Sequence, residues 1–251
     1  MSLHVAESFY SIQGEGASVG VPAYFIRLHG CNLMCGGHNG CLMKEGKATW
    51  WCDSEIIWRK KTAISFEGLD DHFQELGIRE NVLGGIVHLV WTGGEPTMPE
   101  HADSIEGFLH YMDNTYQGHH IYNEIETNGT IITSPYFYKE NIQQINCSPK
   151  LTNSGMPEKV RIVPEAIDQI ARFPNSFFKF VISTEEDIQE IKDTYIMPFG
   201  IPQEKIIIMP GVDNRNDLPE RTRFLFEMTK KYGYRGITRQ HILAWDRVTG
   251  V

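Results

Sequence analysis

Short apolar runs recur along the chain, spaced so that a helix fits between most neighbours. "AYFIRLHG" near residue 23, "GIVHLVWTGG" near 85 and "HIYNEIETNG" near 120 open the series; "IQQINCSPK" near 142, "SFFKFVIS" near 176 and "KIIIMPG" near 205 continue it. Most are near-continuously apolar rather than alternating, the pattern of strands covered on both faces of a parallel sheet. Helical spacing runs through "SFEGLDDHFQELGI" at 65–78, "HADSIEGFLHYMDNTY" at 101–116 and "VPEAIDQIARF" at 163–173. It returns in "STEEDIQEIKDTYI" at 183–196, which opens on a capping residue and an acidic turn, and in "DLPERTRFLFEMTKKYG" at 217–233. Strands alternating with helices predict right-handed βαβ units and an α/β fold. Six strands are too few for the closed eight-stranded barrel. The expected architecture is an incomplete, TIM-like barrel of about six parallel strands, a single domain over residues 1–251. Residues 210–251 are expected to form a C-terminal extension closing the barrel. The polar, Gly-rich stretch "GGHNGCLMKEGKATW" at 36–50 breaks the pattern and reads as an inserted loop.

Composition narrows the classes. A chain of 251 residues with 41% hydrophobic and 22% charged residues can bury a large core. A net charge of -9 argues against a surface that coats nucleic acid, though one or two local cations can still hold a small anion. The opening "MSLHVAESFYS" lacks a signal-peptide pattern, and no apolar run approaches the ~20 residues of a membrane helix. The expectation is a cytoplasmic protein without a membrane or nucleic-acid partner. A homodimer is the commonest closed assembly and the expected one.

The cysteines change the picture most. Four of the five, Cys31, Cys35, Cys41 and Cys52, crowd into "CNLMCGGHNGCLMKEGKATWWC", while Cys147 stands alone and reads as a small buried hydrophobe. In a reducing compartment such clustering points to metal rather than to disulfides. A structural zinc site would use all four, or recruit His38. A reactive iron–sulfur cluster would use three and leave one iron open. The cysteine loop follows the first predicted strand directly, so it lies at the strand's C-terminal end, where ligand sites assemble in parallel α/β folds. "WTGGEP" at 91–96, "IETNG" at 125–129 and "CSPK" at 147–150 follow the next three strands, and "FYSIQGEG" at 9–16 precedes the first. Each alone is ordinary turn chemistry; together they surround one cysteine loop.

In this order, "SIQGEG…GVPAYFIRLHGC…C…WCDS…TGGEP…ETNG…SPK" resembles the 7-carboxy-7-deazaguanine synthases, radical S-adenosylmethionine (SAM) enzymes of the deazapurine pathway, from residue 7 to about 150. That family holds its cluster with a compact C-x3-C-x2-C whose third cysteine opens CDT or CDS. Here the third cysteine in that context is Cys52, so the spacing becomes C-x3-C-x16-C, with an insertion and the extra Cys41. The resemblance implies that Cys31, Cys35 and Cys52 bind a [4Fe–4S] cluster through soft thiolates, leaving one iron for the amino and carboxylate groups of SAM. Cys31, Cys35 and Cys41 form the rival triad.

The remaining roles also follow from the resemblance. Gly94 would meet the SAM amino group through a backbone that can approach closely. Trp51, Cys52 and Asp53 would wall SAM. Thr127, with Asn128 beside it, and Ser148, Pro149 and Lys150 match later SAM-contacting segments, Lys150 supplying the cation for a carboxylate. Ser54 would bind Mg2+ through its hydroxyl, the alternative being a helix N-cap. A pterin substrate would be read by Ile12, Gln13, Gly14, Glu15, Thr92, Glu126 and His241, and Arg27 would fork onto its carboxylate. Ten residues follow His241, where the family usually ends sooner. No side chain is assigned as acid, base or nucleophile, because the cofactor carries the radical chemistry. The implied reaction turns 6-carboxy-5,6,7,8-tetrahydropterin into 7-carboxy-7-deazaguanine with loss of ammonia, with a flavodoxin- or ferredoxin-type donor supplying the electron. A radical SAM activase acting on a protein and a zinc-stabilised binding module are the competing classes.

Overall fold

The computed structural model describes residues 2–251. Nine strands form one sheet: β1 (Ser2–Ile12), β2 (Pro22–Leu28), β3 (Thr62–Ser65), β4 (His88–Gly93), β5 (Asn123–Thr127), β6 (Gln144–Cys147), β7 (Ser176–Ile182), β8 (Ile206–Pro210) and β9 (Arg235–Gly236). Their order is β3-β1-β2-β4-β5-β6-β7-β8-β9. The run from β2 to β9 is parallel throughout, and β1 pairs antiparallel with both β2 and β3. The parallel, incomplete barrel expected from the sequence is present. All six expected strands lie inside it, and β9 adds a two-residue seventh.

The five expected helices form as Phe66–Glu75, Pro99–Thr115, Pro164–Ala171, Glu186–Ile191 and Leu218–Tyr232. Ser65 caps the first by accepting from the Gly68 amide at 2.9 Å, and Pro stands at the start of the second, third and fifth. Helix-side residues of the sheet such as Trp91, Ile125, Ile145, Phe178, Phe180 and Ile208 are fully buried in the main core. The other side is different. A period of two puts Arg27, Thr92, Glu126, Asn146 and Lys179 on the concave face, with Glu124 and Gln144 below them. Only two small apolar clusters, around Phe25–Val90 and Ile207–Met209, interrupt that polar lining. The interior of the incomplete barrel is therefore a site rather than a second core.

The two edges do not pair, so the sheet stays open. Residues past β9 bridge the mouth through the loop after β1 instead. Arg235 Nη2 donates to the Ala17 carbonyl at 3.1 Å, and the Gln240 amide to the Gly14 carbonyl at 3.1 Å. The 36–50 stretch is a folded excursion with two short helical turns, His38–Gly40 and Cys41–Lys44. It is stitched to a neighbouring loop by Gly36 N to Ser154 O at 2.8 Å and Thr49 N to Asn153 O at 2.9 Å.

Candidate active site

The insertion leaves and returns at one point. The Cys52 amide donates to the Cys35 carbonyl at 3.2 Å, so sixteen intervening residues are looped out and the third motif cysteine lands beside the second. Glu55, itself buried, pins the return: it accepts from the Trp51 indole and from the Asn39 amide, and pairs with Arg59 and His38. Cys35 is buried, Cys31 and Cys52 are partly buried, and Cys41 is exposed on the insertion against Gly37. Burial pushes the Cys31 thiol up to about 12, with the Glu95 carboxylate adding to it. Burial likewise pushes Cys52 up to about 12, with Asp53 adding, and raises Cys35. The Lys150 ammonium is the shared group that opposes all three shifts. Among the described residues no three His, Cys, Asp or Glu side chains close around one ion-sized point. Left to themselves these thiols stay protonated, and a soft metal group bound there would deprotonate them by coordination.

The loops after β4, β5 and β6 close around these cysteines. Gly94 has no room for a side chain, since a Cβ there would lie 1.3 Å from the Gly30 carbonyl oxygen. Its amide donates to Leu28 O at 3.0 Å, and the next amide, Glu95, to Gly30 O at 2.9 Å. The Glu95 carboxylate, fully buried, gathers Thr97 Oγ1 (2.6 Å), Thr127 Oγ1 (2.7 Å) and the Asn128 amide (2.7 Å). Asn128 Nδ2 in turn reaches Asn32 Oδ1 at 2.8 Å, inside the cysteine loop. Ser148 N is held by the Thr127 carbonyl at 2.7 Å, and Pro149 is buried. Lys150 Nζ sits 3.2 Å from Ser148 Oγ and 5.6 Å from the centre of the Trp50 ring. The Lys150 carbonyl accepts from Tyr195 Oη (2.7 Å) and Arg161 Nη1 (2.9 Å). A π-turn over Lys192–Ile196 carries Tyr195 into the core at this point.

The predicted substrate residues meet on the concave face. Glu126 accepts from Thr92 Oγ1 at 2.9 Å and from Gln13 Nε2 at 3.2 Å. Arg27 Nη1 donates to Ser54 Oγ at 2.9 Å, Nε lies 3.0 Å from Glu7, and the guanidinium covers the Phe9 ring at 5.6 Å. Ser54 makes no side-chain cap bond to the helical turn it precedes, which removes the capping alternative; its hydroxyl donates to Asp53 Oδ1 at 3.0 Å. His241 packs against Gly14 despite the ten residues after it, and burial lowers its pKa. Ile12 ends β1 opposite Pro22.

Glu15 is more committed than the sequence implied. Lys179 Nζ lies 2.6 Å from one carboxylate oxygen and Arg239 Nε 2.7 Å from the other. Burial opposes its charge, yet these two cations outweigh burial and hold the carboxyl well below the usual range. With the folded pKa depressed, the stabilisation is complete above the unfolded value of about 4.3 and is lost as pH falls through the folded value. Glu15→Gln is expected to cost about 3 kcal/mol near neutrality, because two buried cations lose their partner. The same variant should flatten the loss of stability as pH falls below about 4. Urea midpoints across that range measure both effects, and an acid limb as steep as in the parent would contradict the assignment.

Whole-chain comparisons relate this chain to known proteins. No protein-family model matches the chain. A 7-carboxy-7-deazaguanine synthase of Pyrobaculum aerophilum is 27% identical over 99% of this chain and 97% of its own length. One of Aquifex aeolicus is 30% identical over 94% of this chain and 90% of its own. The chain belongs to the 7-carboxy-7-deazaguanine synthase family. Among solved structures, QueE from Escherichia coli covers 95% of this chain at a TM-score of 0.61 and 21% identity, a likeness of fold.

In this synthase family member the fold brings the sequence motifs together around the cysteine loop and the concave face, and three residues among them went unassigned from sequence. Lys179 is a lone cation inside an apolar strand and Arg239 lies two positions before His241. Glu95 stands inside "WTGGEP". The first carried a usable signal, because a lysine flanked by Phe178 and Phe180 on a buried strand needs an anionic partner. Nothing local distinguished Arg239.

Proposed function

We propose that this chain is the radical SAM enzyme that converts 6-carboxy-5,6,7,8-tetrahydropterin to 7-carboxy-7-deazaguanine with loss of ammonia. The observation that carries this reading is the Cys52–Cys35 backbone bond, which sets three sheltered thiols beside a polar barrel interior. Cys31, Cys35 and Cys52 would hold a [4Fe–4S] cluster. Given SAM and an electron from an external donor, that group would supply the radical chemistry that starts the reaction at a substrate carbon. Everything else is the work of side chains. Lys150, fixed through its carbonyl and turned by Ser148 and Trp50, offers a positioned ammonium to the carboxylate of SAM. Gly94 lets the loop after β4 pack directly on the Gly30–Cys31 backbone, and Thr127, Asn128 and Trp51 would complete the wall around SAM.

On the substrate side, Glu126 is an acceptor-only carboxylate suited to the adjacent N–H donors of a pterin's aminopyrimidine edge, with Thr92 and Gln13 fixing both its oxygens. Arg27 presents a guanidinium to the substrate carboxylate. Ser54 and Asp53 place two oxygens 3.0 Å apart beside it, the hard donor type that Mg2+ prefers, with substrate oxygens to complete the shell. The loop at 13–21 and the segment 235–241 that meets it would limit the access of water to the site. A flavodoxin or ferredoxin is the suitable class of reductant. Among the described residues no helix is long and apolar enough to cross a membrane. A homodimer in the cytoplasm is the assembly and place proposed.

Anaerobically reconstituted protein given SAM, Mg2+, a reductant and 6-carboxytetrahydropterin is expected to form 7-carboxy-7-deazaguanine, identified by mass spectrometry. Iron and sulfide present with no deazaguanine formed would overturn the substrate assignment in favour of an activase, and zinc without sulfide would overturn the cluster.

A further inference from the structure

Arg239 was given no role from the sequence, yet each of its three guanidinium nitrogens contacts a different part of the chain. Nε donates to Glu15 Oε1 at 2.7 Å, Nη1 to the Val212 carbonyl at 2.5 Å, and Nη2 to the Asp53 carboxylate. Asp53 directly follows Cys52, Glu15 belongs to "IQGEG", and Val212 follows β8. The residue is 9% exposed. The next amide, Gln240, bonds the Gly14 carbonyl, and His241 packs on Gly14. Val212, Leu218 and Ile242 form a small apolar cluster that holds this segment from behind.

The other ties of the substrate loop lead elsewhere. Within it, Gln13 N bonds Val21 O at 2.8 Å and Gly20 N bonds Gln13 O at 2.7 Å. Below, Ala17 N reaches Asn146 and Ser18 accepts from Gln144. Beside it, Lys179 takes the second oxygen of Glu15. None of these touches the segment that carries Cys52. Without Arg239, Asp53 would lose the guanidinium that it shares with Glu15, while Glu15 would keep only Lys179 as a close cation.

Building on the synthase reading, we propose that Arg239 is a positioning residue that couples the two halves of the site, holding the pterin loop in register with the Cys52–Asp53–Ser54 segment. The planar fork matters. A lysine ammonium can satisfy one carboxylate or the other, but cannot span both and a carbonyl in one plane. Arg239→Lys therefore keeps the charge and loses the span.

The test compares the reconstituted holoenzyme with Arg239→Lys and Asp53→Asn. Arg239→Lys is expected to raise KM for the pterin by about 30-fold, as for one lost arm of a buried charge pair, with a smaller change in kcat. The number of SAM molecules cleaved per product formed should rise with it. Hydrogen–deuterium exchange, read on the same proteins without pterin, should speed up together in peptides covering 13–21 and 50–55. Asp53→Asn, which leaves the Glu15 arm in place, should loosen 13–21 as well. Parental KM and coupling in Arg239→Lys, or faster exchange confined to one of the two peptides, would overturn the proposal. Should Arg239→Lys fail to fold, exchange in Asp53→Asn decides alone. If the parent enzyme makes no deazaguanine, the substrate reading fails, whereas the exchange comparison still decides the coupling.

Discussion

Cys52→Ala is expected to lose the cluster and all product formation, and Cys41→Ala to keep both. By spacing alone the two cysteines compete for the third ligand position, and Cys41 is nearer in sequence. A backbone hydrogen bond supports Cys52 in the proposed assignment. Cys52 N to Cys35 O closes the neck of the insertion at 3.2 Å, and Gly36 N to Ser154 O at 2.8 Å fastens the neck to the loop after β6. The excursion then turns away, leaving Cys41 exposed in a helical turn. Replacing an exposed thiol with a methyl group should change stability by no more than about 0.5 kcal/mol. Iron and acid-labile sulfide analysis, with the product assay beside it, measures the outcome. A Cys41→Ala protein devoid of iron would sink the assignment and favour the rival triad.

Gly94→Ala should be nearly as severe, for a different reason. Most glycines in turns are retained for their backbone angles, and an added methyl there causes strain. At Gly94 the obstacle is space. The added carbon would stand 1.3 Å from the Gly30 oxygen and 2.2 Å from its carbonyl carbon, both backbone atoms that no rotamer change can move aside. Either β4 separates from β2 at its C-terminal end or the Gly30–Cys31 peptide is displaced. Separation sacrifices the 3.0 Å bond from Gly94 N to Leu28 O and the 2.9 Å bond from Glu95 N to Gly30 O. The expected cost is about 4 kcal/mol or more. In a domain of this size that corresponds to a fall of about 10 °C in Tm. Because Cys31 follows Gly30, iron incorporation should fall with it. Scanning calorimetry and iron content report the two effects, and a Gly94→Ala protein with parental Tm and full iron would refute the close-approach argument.

The alternation of apolar runs with amphipathic stretches was enough to find the parallel strands and their covering helices, because burial on the helix side writes Trp91, Ile125, Ile145 and Phe180 into the sequence. β1 and β3 escaped notice. They lie at an antiparallel edge where one side faces water, and "SLHVAESFYSI" mixes Ser, His and Glu with its apolar residues. The reading of the strands as continuously apolar was also incomplete. Glu124, Glu126, Gln144, Asn146 and Lys179 alternate with the core residues of β5, β6 and β7, and they line the concave face. The barrel mouth is bridged by residues 235–241 meeting the 13–21 loop rather than by strand pairing.

By itself the sequence determined the kind of chemistry: strand-end motifs in a fixed order, thiols in number, and a family resemblance strong enough to name the segments. Those are local properties, since a turn, a cap or a soft ligand is specified by the residue that provides it. Tertiary structure decided which groups are partners. The contact of Cys52 with Cys35 across the insertion, the commitment of Glu15 to Lys179 and Arg239, and the arrival of His241 at Gly14 each join segments that are remote in the chain. Such pairings depend on where the sheet and its loops bring charges and backbone amides together, and no pattern within a window of sequence encodes that.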